Sequence, residues 1–156
     1  MEQDTLTASK TPVKGEDLTG LWLVCFTGKE ENWWWDRIKL TRPCFRHCYL
    51  LQYQVPVDRW VMLDWRTGIC DVIVIHHHEI SYLLGQMRAT HGTAVLYRGR
   101  QPERDILYRA GYPLMYCVQA VLQVMALPTR WTFTPWQLYK RLMASGGYEL
   151  VNYRTQ

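Results

Sequence analysis

The chain has 156 residues, 48% of them apolar and 21% charged, which is a globular composition and excludes a disordered or fibrous protein. A net charge of +4 is spread thinly, with no Lys/Arg run longer than two, so no dense basic stripe exists and nucleic-acid binding is not expected. Five irregularly spaced cysteines exclude a disulfide framework, and no apolar stretch approaches the length of a bilayer span.

Residues 1–18 are polar, carry no signal-peptide pattern and read as a flexible leader before a single domain over 19–156. The expected location is therefore cytoplasmic, or inside a larger assembly such as a phage particle. "GLWLVCF" (Gly20 to Phe26) reads as a short buried strand or helix. Trp33, Trp34 and Trp35 follow. Three adjacent rings cannot all face one core, so at least one is expected at a protein partner's surface.

Three strands come next. "HCYLLQYQ" (His47 to Gln54) and "RWVMLDWR" (Arg59 to Arg66) form a hairpin through Val55–Asp58. "CDVIVIH" (Cys70 to His76) follows a turn at Thr67-Gly68. A helix from about His78 to Ala89 puts Ile80, Leu83, Leu84 and Met87 on one face and ends at His91-Gly92. "TAVLYR" (Thr93 to Arg98) is another strand, and a charged loop runs from Arg98 to Asp105. Beyond it, Leu114, Val118, Val121, Leu122 and Met125 have the spacing of a helical core face, with Pro113 suited to the first turn. The last helix has an explicit start. Thr134 is the N-cap, Pro135 the first helical residue and Gln137 the partner in a capping box, with Phe133 and Leu138 placed for a hydrophobic staple. Gly146-Gly147 ends it.

The hairpin carries the chemistry. With a four-residue loop, Gln54 pairs with Arg59, and His47 and Asp64 become diagonal neighbours on one face. A one-residue slip would separate them. An imidazole beside a carboxylate is an oriented base, which can activate a thiol. Cys117 is the thiol of choice, because it lies near a helix start, where backbone N–H groups and the macrodipole favour thiolate. Each residue also has a plainer role. Cys117 can be a packed core thiol, His47 a hydrogen-bonded strand residue, and Asp64 a buried carboxylate for which His47, Arg46 and Arg66 compete.

Two other clusters invite a metal. His76-His77-His78-Glu79 lacks the helical spacing that converges two imidazoles on one ion, and Cys44-x3-Cys48 lacks a second cysteine pair. No metal or cofactor is expected.

The order "FRHCYLL", then "WVMLDW", then "YCVQAVLQVMAL" resembles the circularly permuted papain-like, or NlpC/P60-like, superfamily, in whose permuted members the cysteine helix follows the histidine strand. The likeness covers roughly residues 40–143. It is nearest to small uncharacterised phage and bacterial proteins that share a "TPwqLyr.L" tail, here "TPWQLYKRL". The resemblance implies an α+β fold, an antiparallel sheet packed against two or three helices. It also implies Cys117 as nucleophile, His47 as base and Asp64 as the orienting residue, in a thiol hydrolase or acyltransferase acting on a peptide or amide bond. A non-enzymatic interaction or structural protein, such as a phage-particle component binding through its tryptophans, is the competing expectation.

Overall fold

The computed structural model describes residues 21–28, 42, 44–66, 69–99, 116–128 and 131–151. The expected leader, the Trp33–Trp35 cluster, the Thr67-Gly68 turn, Pro113, Leu114 and most of the charged loop lie outside them.

The fold is α+β. Six antiparallel strands form one sheet in the order β4-β3-β2-β1-β5-β6. They are β1 (Leu21–Thr27), β2 (His47–Gln54), β3 (Arg59–Arg66), β4 (Ile69–His76), β5 (Thr93–Arg98) and β6 (Tyr148–Val151). The α-helices among the described residues are α1 (Ile80–Ala89), α2 (Cys117–Val124) and α3 (Pro135–Ala144). No helix among the described residues is long and apolar enough to cross a membrane.

Two apolar layers explain why β1 reads as a continuous hydrophobic run. Trp22, Val24 and Phe26 join Cys48, Leu50 and Val95 in one core with Val121 and Leu122 of α2 and Leu138 and Leu142 of α3. Leu23 and Cys25 point the other way, into a second core with Tyr49, Leu51, Ala94 and Ile80 and Met87 of α1. A strand covered on both faces has no polar side to show, so alternation disappears.

The hairpin has the expected register. Gln54 pairs with Arg59, and the ladder continues to Leu50 opposite Leu63. Its connection is one 3-10 turn, Val55–Val57, closed by Asp58 in the left-handed region at φ 50°. An aspartate adopts that conformation more readily than most residues, which suits it to this corner.

The capping box at α3 is also present. Thr134 Oγ1 accepts from the Gln137 amide at 3.2 Å, and Gln137 Oε1 accepts from the Thr134 amide at 3.1 Å. The staple takes another form. Leu138 is fully buried, but Phe133 is exposed and stands edge-on to the Trp131 ring. At the far end the chain turns through Gly146 (φ 91°), and the Gly147 amide donates to the Leu142 carbonyl at 2.8 Å. This turn feeds β6, a short strand that the sequence reading did not anticipate.

Candidate active site

The site lies where β2 begins, beyond the last pair of the β2–β3 ladder. His47 is the first residue of β2 and Asp64 is near the end of β3. Both are buried in their own sheet, with relative exposures of 6% and 5%. His47 Nε2 and Asp64 Oδ1 are 2.6 Å apart, a short, charge-assisted contact. The other carboxylate oxygen accepts from Arg66 Nε and Nη2, both at 3.3 Å. Arg66 lies two residues along the same strand, so it shares a face with Asp64. Of the three expected competitors for the carboxylate, His47 and Arg66 hold it; the Arg46 amide donates to the Thr27 carbonyl.

Cys117 comes from a different element. It is the first residue of α2, after Tyr116, whose extended backbone (φ −107°, ψ 167°) starts the helix without a side-chain cap. Cys117 is a partly exposed residue, while those behind it, Val118, Ala120, Val121 and Leu122, are buried against the sheet. That packing lays the helix start over β2. There Cys117 comes close enough to His47 and Cys48 for both to act on its acidity. The structure therefore brings His47, Asp64 and Cys117 together in one chain of contacts.

Strand alternation alone would send His47 toward α1, with Tyr49 and Leu51, and Cys48 toward α2, with Leu50.

The electrostatics follow from these contacts. At His47 burial opposes charge, but hydrogen bonds to Asp64 and Cys117 outweigh it and push the pKa up to about 10. For Asp64, burial acts upward, yet the His47 hydrogen bond, its charge and Arg66 hold the carboxyl below its ordinary value. Cys117 is held well below the ordinary thiol range, first by the Cys48 thiol, then, against the cost of burial, by His47 and the Cys48 amide. Cys48 moves the other way. Burial pushes it well above the ordinary range, and the neighbouring Cys117 adds to that. The two neighbouring thiols are thus driven in opposite directions.

Cys48 was weighed in the sequence only as a metal ligand. Its position beside His47, one residue out of phase with it, was the available sign that it faces the helix. The four-residue His76–Glu79 cluster forms a corner instead of a centre. Glu79 Oε2 accepts from the His76 amide at 2.9 Å, and Trp60 Nε1 donates to His77 Nδ1 at 3.4 Å. Among the described residues, no group of three or more His, Cys, Asp or Glu is placed to hold a metal ion.

No protein-family model, curated protein or solved structure matches this chain.

Proposed function

We propose that this protein is a thiol hydrolase or acyltransferase acting on an amide or peptide bond, with a permuted papain-like arrangement. Cys117 is the nucleophile, His47 the acid and base, and Asp64 the orienting group. The observation that carries the reading is the 2.6 Å contact between His47 and Asp64, with Cys117, a partly exposed residue at a helix start, acting on the same imidazole.

In this reading the resting pair is thiolate and imidazolium. Asp64 holds Nε2–H, which leaves Nδ1 to face the sulfur. Cys117 Sγ attacks the carbonyl carbon, and the charge that collects on the carbonyl oxygen is met by the backbone N–H of Cys117. His47 gives its proton to the leaving nitrogen as the C–N bond breaks, leaving an acyl thioester. Water or an acceptor amine then adds to the thioester, His47 takes the incoming proton, and the C–S bond breaks to return the thiolate.

A binding or structural protein, of the kind a phage particle assembles, is the second reading. It draws on Trp131, which is 82% exposed and held at φ 57°, a conformation unfavourable for a bulky residue. Thiol chemistry separates the two. The rate of Cys117 alkylation by iodoacetamide, followed against pH by peptide mass spectrometry, should show an acidity well below the ordinary thiol range. That acidity should revert toward the ordinary value in His47→Ala. A Cys117 that alkylates no faster than Cys44 or Cys70 at neutral pH would end the enzyme reading.

A further inference from the structure

Among the described residues β4 is the outermost strand of the sheet; no described strand pairs with its outer edge, which lacks the usual protection. Natural edges are kept short, bulged, or marked with lysine or proline. β4 runs for eight residues, pairs with β3 through eight consecutive partners, and carries Asp71 as its only charged residue besides the terminal His76. Its aliphatic side chains stand exposed on both faces. Val72 (62%) and Val74 (60%) lie on the α2 side, Ile69 (64%) and Ile73 (45%) on the α1 side. Together they leave on the order of 400 Å² of apolar surface along one strand, about half of it on each face.

We propose that two copies of this chain pair antiparallel through β4, about a two-fold axis at Ile73, joining their sheets into one. Symmetry limits the registers. A two-fold axis normal to the sheet keeps every side chain on its own face, so one residue must meet its own counterpart. An axis at Asp71 sets two carboxylates directly opposite each other, and an axis at Val72 leaves them diagonal neighbours. An axis at Ile73 avoids both. It pairs Val72 with Val74, Asp71 with Ile75 and Cys70 with His76, and it turns each acidic end toward the other copy's histidine corner. The backbone edge from Cys70 to His76 and four aliphatic side chains per copy then bring the contact toward the roughly 800 Å² per partner of a standard interface. A lone peptide strand fits less well, because the exposed side chains line both faces instead of one pocketed groove.

Light scattering on the full chain should give twice the chain mass, and Val72→Lys with Val74→Lys should give the single mass with an unchanged far-ultraviolet spectrum. A cross-linking arm covers the case in which the lysines prevent folding. In a Cys70→Ser background, copper-phenanthroline oxidation should join Ile73→Cys into a covalent dimer. Ile69→Cys should stay single, since the two sulfurs would stand roughly 27 Å apart at about 3.4 Å per residue. A wild-type chain that is monomeric at every concentration, or equal cross-linking at both positions, overturns the proposal, as does an edge that captures a strand-forming peptide while the chain stays monomeric.

Discussion

Asp64 answers to two cations at once, with His47 on one oxygen and Arg66 on the other. Its hydrogen bond, backed by its charge, is what holds the imidazole protonated. Asp64→Asn preserves the volume and removes that charge. On the proposed chemistry, turnover should fall by roughly 10²–10⁴, the range for losing an oriented acid–base group. The alkaline limb of the pH–rate profile should also move down from near 10, because the group that raised His47 is gone. A profile unchanged in both height and limb would remove Asp64 from the mechanism. The His47–Asp64 pair was legible in the sequence because a four-residue hairpin loop leaves few registers, and burial of one face rejects a slip. The thiol–thiol contact with Cys48 was not legible. It depends on how closely α2 settles on β2, which no local pattern encodes.

At the scale of elements, two glycines make opposite cases. Gly147 ends the corner after α3, where an added Cβ would lie 2.8 Å from both the Leu142 carbonyl oxygen and Val95 Cγ1. Neither neighbour can withdraw, since one is helix backbone and the other is a fully buried core side chain. Gly147→Ala should destabilise the protein by about 1–3 kcal/mol, the usual cost of forced overpacking. Gly85 lies inside α1 with nothing within 4 Å of an added Cβ. Gly85→Ala should stabilise by roughly 0.5–1 kcal/mol through helix propensity alone. Urea unfolding midpoints measure both, and the opposite signs are the check. The α3 start and stop were legible because capping and glycine chemistry are local. β6 was not. Of its four residues, Tyr148 and Leu150 are exposed, so it has little apolar signature, and it is a strand because β5 offers an edge to pair with. β1 was ambiguous between strand and helix for the reason its layers supply, burial on both faces.

Across the whole molecule, the thiol–imidazole pair shapes stability against pH. Cys117 is more acidic in the fold than its ordinary value of 9.0, and His47 is more basic than its ordinary 6.5. A thiol made more acidic by folding adds stability that grows as the pH rises toward 9.0, and an imidazole made more basic adds stability that is lost as the pH rises from 6.5 through about 10. Between 6.5 and 9.0 the two slopes oppose each other, which flattens the pair's contribution. Above 9.0 the unfolded chain has lost both, the folded chain still holds the imidazolium, and stability falls until the pH passes about 10. Asp64, lowered in the fold, adds stability above the ordinary carboxylate range that is lost on acidification. Melting temperatures across this range should show the plateau and the alkaline fall. In Cys117→Ala the level stretch should give way to a steady decline, wherever His47 keeps its raised basicity from Asp64.

The partners of the sulfur come from chain segments made at different times. His47 and Asp64 belong to one hairpin, seventeen residues apart, and can meet early. Cys117 gains its acidity only when a later helix docks on that hairpin. A half-made chain therefore carries Cys25, Cys44, Cys48 and Cys70 but not the acidic thiol, and that reactivity is not offered to oxidants or stray electrophiles early in synthesis. Reactivity arrives with maturation, so the act of folding itself arms the molecule.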